Sequence, residues 1–554
     1  MAFLVIVSCT ASGKPLTSVA PVGVYPPRDL QGVRPHTRAE RTRFTETSSY
    51  ADVMAFIDSL KISSNNVHVT TFGRSSQGRD IPMVVASRPL VRTPAEAKRA
   101  NRPIVYLQGN IHGGEVEGKE AVLSLLRDLS RDPYANVLDS VVLIAVPIYN
   151  IDGNETLGPQ ERNRSSQNGP AIVGQRSNGQ GLDLNRDYIK AEAPETRASL
   201  DFFRTWDPDV FVDFHTTDGS FHGYALTWAP PLNPAARFSG PFTRDTVLPA
   251  LTTALKTRFR LETFPYGNFR SQDSVQNGWY TYDHRPRFGT NYYGLRGRIA
   301  ILAEAYSHDP FRERVANTYS FVAELLNLIA RNQEDFVEAS RDADRRTTGF
   351  TSLGSSSVTV ALRSRLTRTP HMEDLLVEEI VRTGDSARHE PGLRPGIRRT
   401  GKVRSVRVPV YDRFDPALER TLPYAWVVPA AQAALLEPLR RNGLFIEQVD
   451  AGTTVRVERF LIDSVHKSAQ AFQGHQEARL SGRWEPADTI TLDPGTFIVR
   501  AGQPLGIVAM YLLEPESDDG LVTWNALDQW LQPGARYPVA RVLDRIAVPL
   551  RPAP

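Results

Sequence analysis

The stretch PIVYLQGNIHGGEVEGKEAVLSLLRDL, residues 103–129, joins a strand pattern to a helix pattern through a glycine-rich turn. Its first six residues form an apolar run of strand length, and GKEAVLSLLRDL has the spacing of an amphipathic helix. The turn holds His112 and Glu115, three residues apart, and the two glycines between them would let the backbone turn sharply. An imidazole and a carboxylate presented together could bind a metal ion, although an ordinary polar loop has the same composition.

Strand and helix patterns alternate on both sides of this stretch. Upstream, VHVTTFGRSSQGRDIPMVVAS is typical of two strands joined by a glycine-containing turn. Downstream, strands are predicted at 140–150, in PDVFVDFH and in RIAILAEAY, and helices in ETRASLDFFRTW, in LPALTTALKTRF and along 316–345. The polar stretch 151–182 is predicted to be a long surface loop. The alternation predicts an α/β domain with a mixed, mostly parallel central sheet flanked by helices.

The chain of 554 residues is too long for one ordinary hydrophobic core, so two or three domains are expected. We predict a leading segment at 1–42, the α/β domain at 43–345, and a β-rich α+β region at 346–554 that could divide near residue 420. The last region contains an acid- and tryptophan-rich stretch, EPESDDGLVTWNALDQWL, which we predict to be a loop leading into a short amphipathic helix.

The composition is that of a soluble globular protein, with 41% hydrophobic and 23% charged residues. The net charge of +3 is small for this length and no basic stripe is concentrated anywhere, which argues against a nucleic-acid partner. No apolar run approaches the roughly 20 residues that cross a bilayer. We therefore expect no transmembrane span.

The single cysteine, Cys9, follows the short apolar stretch MAFLVIVS and precedes small polar residues. This arrangement resembles a bacterial lipoprotein signal, whose cysteine carries a lipid anchor after cleavage. It departs from that pattern because it lacks a basic start and its apolar part is short. We expect an exported protein, whether periplasmic, secreted or anchored as a lipoprotein, rather than a cytoplasmic one.

Four residues with the chemistry of a zinc site lie at the predicted ends of strands, where α/β sheets bind their ligands. His112 and Glu115 follow one strand, His215 ends VDFH, and Glu304 ends ILAE. Two imidazoles and one carboxylate leave the fourth position of a tetrahedral zinc ion open for water, and Glu304 is then available to accept a proton. Each residue alone also fits an ordinary structural role, although burying an unpaired carboxylate costs several kcal/mol.

The loop GQRSNGQGLDLNRDY, residues 174–188, completes a pattern that resembles the M14, or carboxypeptidase A-like, family of zinc carboxypeptidases. The resemblance rests on the hairpin GRSSQGRDIPMV, on GNIHGGE, GLDLNRD and DFHT, and on ILAEAYS, which stand in the family's order. It covers about residues 45–335 and leaves the C-terminal region outside. It implies the zinc carboxypeptidase fold and, as partner, a peptide substrate with a free C-terminal carboxylate.

The resemblance also implies the residues of the metal centre. One zinc ion per chain would be held by His112, Glu115 and His215. Glu304 would be the general base that activates a water molecule at the metal and later passes the proton to the leaving amine. Asp183 matches the carboxylate that orients the first histidine ligand.

For the substrate, the resemblance implies that Asn185 and Arg186 bind the C-terminal carboxylate, a task that suits the planar guanidinium of arginine. Arg176 matches the arginine that polarises the scissile carbonyl. Arg164, in ERNRSSQNG, is an alternative for that role.

The family also has a mobile tyrosine that closes over the substrate. Its usual distance before the general base indicates Tyr282, while Tyr280 and Tyr292 lie near enough to be alternatives. The floor of the side-chain pocket is expected between about Trp279 and Glu304, a stretch with both charged and aromatic residues that does not indicate which side chain is preferred.

The sequence therefore predicts a zinc-dependent metallocarboxypeptidase, with two alternatives. The first is an amidase or peptidase acting on the stem peptides of peptidoglycan, whose family relatives often alter the carboxylate-binding residues. The second is a non-catalytic protein that keeps the fold and binds zinc or a peptide. The intact pair Asn185–Arg186 argues against the first alternative, and the joint presence of three ligands and a base argues against the second.

Overall fold

The computed structural model of the chain describes residues 34–131, 136–351, 358–383, 393, 395–546 and 550–553. Cys9 and the lipoprotein-like segment lie outside these residues. Within them, no helix combines the length and the apolar character needed to cross a membrane.

An eight-stranded sheet forms the centre of the N-terminal half. Its strands, in chain order, are β1 (Val67–Arg74), β2 (Asp80–Ala86), β3 (Ile104–Gln108), β4 (Val142–Val146), β5 (Val210–Thr216), β6 (Leu226–Ala229), β7 (Thr263–Pro265) and β8 (Ile299–Ala305). Across the sheet they are ordered β1-β2-β4-β3-β5-β8-β6-β7. The strands β4, β3, β5 and β8 run parallel to one another, and β1, β2 and β6 supply the antiparallel pairings. The predicted mixed, mostly parallel sheet is confirmed.

Helices cover both faces of the four parallel strands, all of whose residues are buried. On one face, the helix after β3 approaches β5 so closely that a Cβ atom at Gly118 would lie 2.4 Å from the Cβ of Phe214. On the other face, Phe211 packs against Phe203 and Tyr293 of two further helices. Phe211 and Phe214 are three positions apart in β5 and therefore contact different helical layers, as the alternation of a strand requires.

The helices of this half include one segment that departs from the sequence prediction. Their bounds are Arg38–Arg41, Tyr50–Ser63, Pro94–Ala100, Glu117–Arg131, Ile151–Glu155, Gln160–Asn163, Pro194–Trp206, Ser239–Phe242, Leu248–Phe259, Gly289–Leu295, Phe311–Arg331 and Gln333–Gly349. The long helix predicted along 316–345 is wrong, because the chain leaves helical geometry at Asn332 (φ −127°, ψ 37°). The side-chain amide of Asn332 donates to the carbonyl of Leu328 at 2.7 Å, and this local hydrogen bond competes with the backbone hydrogen bonds of the helix.

Part of the predicted leading segment contacts the α/β domain. Thr37 caps the helix Arg38–Arg41, and Glu40 pairs with Arg127 at 2.7 Å, with 1% of the Arg127 side chain exposed. The boundary proposed at residue 43 is thus crossed by a buried ion pair.

The C-terminal region is β-rich, as predicted, and packs directly against the α/β half. Its strands are Thr359–Thr367, Met372–Arg382, Ile397–Tyr411, Arg413–Thr421, Ala425–Val428, Glu447–Val449, Thr453–Glu458, Phe460–Lys467, Ala478–Trp484, Asp488–Leu492, Phe497–Arg500, Ala540–Val542 and Leu550–Pro552, and its helices are Leu436–Arg441 and Gly506–Leu513. The strand Ile397–Tyr411 pairs in parallel with Trp279–Tyr280 of the α/β half.

The acid-rich stretch 514–531 does not form the predicted loop and amphipathic helix. It is a series of turns with a single short 3-10 helix, Asp528–Trp530, and most of its acidic side chains are buried. Burial is possible because arginines neutralise the carboxylates: Arg420 pairs with Glu516 at 2.6 Å and Arg287 pairs with Asp519 at 2.8 Å. The spacing of apolar residues along the sequence could not reveal that arginines so distant in the chain pair with these carboxylates.

Candidate active site

Three strand ends bring the candidate zinc residues to one edge of the sheet. His112 and Glu115 lie in the turn after β3, His215 lies in β5, and Glu304 lies in β8. Glu304 is paired in register with His215 across the parallel strands, so their side chains lie side by side on one face. The sheet therefore brings together the four residues that the sequence predicted.

The donor atoms of His112, Glu115 and His215 converge on one point. The Nδ1 atom of His112 lies 2.9 Å from one carboxylate oxygen of Glu115, and the Nδ1 atom of His215 lies 3.0 Å from the other. The ligand atoms all lie within 4.8 Å of one another, and all three residues are buried. Among the described residues, this is the cluster with the composition and spacing of a metal site.

The glycines of the turn are needed for space rather than for backbone conformation. A Cβ atom at Gly113 would lie 2.3 Å from the backbone of Gly153, and one at Gly114 would lie 2.7 Å from the side chain of Arg164. The positive φ in this turn belongs instead to Asn110, at 63°. The two glycines are therefore needed because this turn packs closely against the segment after β4, and not because they allow a sharp turn as the sequence analysis expected.

Asp183 holds His112 from the side opposite the cluster. The Nε2 atom of His112 lies 3.0 Å from one oxygen of Asp183, and Arg176 donates from Nε to the other oxygen at 2.8 Å. Burial alone would raise the pKa of the Asp183 carboxyl, but His112 and Arg176 hold that pKa well below its usual range. The carboxylate can therefore fix the ring so that Nδ1 faces the cluster.

A second carboxylate, which the sequence analysis did not identify, stands behind His215. The Nε2 atom of His215 lies 3.0 Å from Asp213, and the amide of Gln108 donates to the other oxygen of Asp213 at 3.0 Å. The available signal was positional: in VDFH, Asp213 and His215 are two residues apart and share one face of the strand. Both imidazoles thus have a carboxylate on the nitrogen that faces away from Glu115.

This arrangement fits a zinc ion. Two imidazole nitrogens and one carboxylate are a zinc donor set with room for a fourth group. The outer nitrogen of His112 is hydrogen-bonded to Asp183, and that of His215 lies within ion-pair distance of Asp213. Burial would raise the pKa of Glu115, but His112 and Arg164 hold it well below its usual value, so the carboxylate stays charged.

Glu304 differs from the other carboxylates of the site. Its Oε2 atom is buried and has no hydrogen-bond partner among the residues that the structure describes. Burial raises the pKa of Glu304 to about 8, with Glu115 adding to the shift and His215 opposing it. A carboxyl group with a free oxygen and a pKa near neutrality is suited to proton transfer.

The two candidate arginines have different environments. Arg164 is buried and donates to Glu115 at 2.9 Å and to the carbonyl of Thr216 at 2.9 Å, so its guanidinium is engaged in holding the strand end. Arg176 keeps 37% of its side chain exposed, and its Nη1 lies 3.6 Å from Glu115. Arg176 is therefore the arginine that a substrate could reach, which favours it over Arg164.

Asn185 and Arg186 follow directly after Asp183. The side-chain oxygen of Asn185 accepts from the backbone of Gly289 at 3.0 Å, and the Arg186 guanidinium lies 4.1 Å from the centre of the Phe288 ring. Across the described parts of the chain, no carboxylate lies within ion-pair distance of Arg186, whose charge therefore stays available for a ligand. Its Nη1 donates to the carbonyl of Asn185 at 2.7 Å, which fixes the side chain.

Tyr282 is the candidate tyrosine that lies at this site. Its hydroxyl is 2.8 Å from that of Thr290. Its ring contacts Phe288, the ring against which the guanidinium of Arg186 packs. The alternatives are engaged elsewhere: Tyr280 stacks on Tyr411, and Tyr292 donates to Asn442.

Tyr266 is a further aromatic residue of this site that the sequence analysis missed. Its ring packs against that of Tyr282 at 5.9 Å. Burial, and then the charge of Glu304, raise the pKa of Tyr266 well above its usual value. Tyr266 follows the short strand β7, and the residues around it form no motif that would have indicated a place in the site.

The replacement Asp183→Asn is expected to weaken zinc binding by about 10- to 100-fold, because the amide cannot hold His112 as a carboxylate does. A competition titration against a chromophoric zinc chelator measures this. As a control, Asp187→Asn removes a neighbouring buried carboxylate that pairs with Lys190 and contacts no candidate ligand. An Asp183→Asn protein with the affinity of the control would contradict the role of Asp183.

Parts of the chain are similar to known proteins. Residues 53–284 match the family model described as zinc carboxypeptidase. Carboxypeptidase 2 of Trichophyton rubrum is 22% identical over 499 residues, covering 85% of this chain and 81% of the relative. Carboxypeptidase D of Mus musculus is 28% identical over 148 residues, covering 24% of this chain and 10% of the relative. The crystal structure of a metallo-carboxypeptidase from Burkholderia cenocepacia aligns with 19% identity and a TM-score of 0.38, covering 51% of this chain and 70% of that one.

The family match includes His112, Glu115, Asp183 and His215. The alignment with carboxypeptidase 2 of Trichophyton rubrum also covers most of the C-terminal region. The part of the chain that carries these residues is therefore similar to the zinc carboxypeptidases, which are peptide hydrolases.

Proposed function

We propose that this protein is a zinc-dependent metallocarboxypeptidase that hydrolyses the C-terminal peptide bond of peptides. The observation that carries the proposal is a juxtaposition at one edge of the sheet. There, the buried cluster of His112, Glu115 and His215 adjoins Glu304, whose outer oxygen is free, and a loop that carries Arg186 without a carboxylate partner among the described residues. The cluster and Glu304 would carry out hydrolysis, and Arg186 would bind the C-terminal carboxylate of the substrate.

A zinc ion held by His112, Glu115 and His215, one per chain, would supply Lewis-acid polarisation of the scissile carbonyl and a water molecule of lowered pKa. Glu304 would act as the general base. Its Oε2 atom would accept the proton of the attacking water and then deliver it to the nitrogen of the leaving amine. Burial raises the pKa of this carboxyl above its ordinary value, which supports its ability to hold the proton between the two steps.

Arg176 would donate to the carbonyl oxygen as negative charge develops there. Its partly exposed guanidinium, 3.6 Å from Glu115, supports this role. Preorganised donors of this kind usually make the largest single contribution to catalysis. Arg164 would instead keep Glu115 and the end of β5 in place, which its buried hydrogen bonds support.

Asn185 and Arg186 would bind the free carboxylate of the substrate, with Tyr282 beside them. A planar guanidinium can bind a carboxylate through two parallel hydrogen bonds, and this makes recognition of a chain end specific. A peptide bond in the middle of a chain offers no such group, so the enzyme would be an exopeptidase.

The test uses two peptides that differ at one group, a free C-terminal carboxylate and a C-terminal amide. For the free peptide, Arg186→Gln is expected to lower kcat/KM by on the order of 10- to 100-fold, since a charged hydrogen bond is lost. The amidated peptide, which the wild-type enzyme is not expected to cleave, should stay uncleaved by the variant.

Two outcomes of this test would overturn the proposal. If the wild-type protein cleaved both peptides equally, it would be an amidase or endopeptidase, the class that includes the stem-peptide alternative. If Arg186→Gln left kcat/KM for the free peptide unchanged, Arg186 would not be the carboxylate-binding residue.

A further inference from the structure

The carboxylate-binding pair Asn185–Arg186 rests on a neighbouring turn of the chain. Asn185 accepts from the backbone of Gly289 at 3.0 Å, and Arg186 lies against the Phe288 ring at 4.1 Å. The backbone of Tyr188 donates to the carbonyl of Arg287 at 3.3 Å. Any shift of residues 287–289 would therefore move the pair as well.

The C-terminal region holds this turn through one buried carboxylate. Asp519 accepts from the backbone N–H of Arg287 at 2.7 Å, from its Nε at 3.0 Å and from its Nη2 at 2.8 Å. Asp519 is fully buried and Arg287 is 2% exposed. Because Asp519 without Arg287 would be an unpaired buried charge, this ion pair fixes the position of Arg287 strongly.

Trp524 keeps Asp519 in place from behind. Its indole N–H donates to Asp519 at 3.0 Å, and its ring lies 4.5 Å from the guanidinium of Arg287. The Nη1 atom of Arg287 also donates to Glu477, at 2.5 Å, so a second carboxylate of the C-terminal region holds the same arginine.

The tip of a hairpin in the C-terminal region makes a second contact, with the loop 174–188 that carries Asn185 and Arg186. Phe472 and His475 exchange backbone hydrogen bonds of 2.8 and 3.0 Å around Gln473 and Gly474, which have φ of 51° and 82°. This is a two-residue turn of the type that requires positive φ at both positions. The side-chain oxygen of Gln473 accepts from the backbone N–H of Asp183 at 2.9 Å.

We propose that Asp519 and Gln473 are positioning residues for the substrate-carboxylate site, so that the C-terminal region is a working part of that site. This inference rests on the proposed function, in which Asn185 and Arg186 bind the end of the substrate. Asp519 acts through Arg287 and the residues that follow it. Gln473 acts through the backbone of Asp183, two residues before Asn185.

The first test is the variant Asp519→Asn, which keeps the size of the side chain and removes its charge. For the free-carboxylate peptide we expect KM to rise about tenfold with kcat within about twofold of wild type, because binding geometry is disturbed while the metal centre is intact. Zinc content should not change. A general loss of stability would not produce this pattern.

Glu514→Gln is the matched control. Glu514 is also fully buried and also accepts from an arginine and a tryptophan, Arg541 at 2.8 Å and Trp426 at 2.8 Å, but both partners belong to the C-terminal region. Its KM should equal that of wild type. Equal KM values for Asp519→Asn and Glu514→Gln would overturn the inference.

A second variant covers the case in which Asp519→Asn does not fold. Gln473 is half-buried at a hairpin tip, so Gln473→Ala should fold normally, and its KM is expected to rise about threefold with kcat unchanged. An unchanged KM in this variant would overturn the part assigned to Gln473. Failure of the proposed function itself would appear earlier, as a wild-type protein that does not distinguish the two peptides.

Discussion

The replacement Glu304→Gln is expected to lower kcat by on the order of 10³- to 10⁴-fold while zinc stays bound, the upper part of the range for general base catalysis. Glutamine has almost the shape of glutamate and can fill the same space in β8, but its amide cannot accept the proton from water. Because Glu304 is not among the three candidate ligands, metal content should be that of wild type.

Glu514→Gln is again the suitable control for this experiment, since it changes a buried glutamate in the same way outside the candidate ligand cluster. Turnover and metal content are measured on one preparation of each protein. If Glu304→Gln kept a rate near that of the wild type, Glu304 could not be the base.

The replacement His112→Ala is expected to remove zinc from the purified protein. Structural zinc sites bind with roughly 10–16 kcal/mol. Losing one of three protein ligands should therefore weaken affinity by on the order of a thousandfold or more. The remaining pair, Glu115 and His215, would hold the ion too weakly to survive dialysis. Metal analysis of the dialysed protein measures this, and activity should fall in parallel.

His222→Ala separates loss of a ligand from loss of a buried ring. His222 is 1% exposed and packs against Tyr306 and Trp279, outside the ligand cluster. This control should retain zinc even if its stability falls. Full metal retention in His112→Ala would contradict the assignment of the ligands.

The strand ends that carry the candidate ligands could be predicted from the sequence because their signals are local. Strands buried on both faces read as continuous apolar runs, so the polar residue that ends each run is conspicuous. His215 after VDF and Glu304 after ILA are such residues, and parallel pairing then brings them together.

Other parts of the site depend on contacts that no local pattern records. Asp519 and Gln473 lie 232 and 290 residues from their partners Arg287 and Asp183, so only the folded chain joins them. Asp213 lies inside an apolar strand, where its role depends on the nitrogen of His215 that it faces.

The break in the predicted long helix has a different cause. A helical pattern of apolar residues continues on both sides of Asn332, but the side chain of that residue bonds to its own preceding turn. Periodicity reports which face is buried and does not register a local hydrogen bond of this kind.

One measurement on the wild-type protein tests the central claim most directly. Zinc content and peptide cleavage are determined on the same sample, with the free-carboxylate peptide and its amide twin as substrates. About one zinc per chain, with release of the last residue from the free peptide only, is the result that a metallocarboxypeptidase predicts. Cleavage of both peptides at equal rates, or cleavage that persists after zinc has been removed, would contradict it.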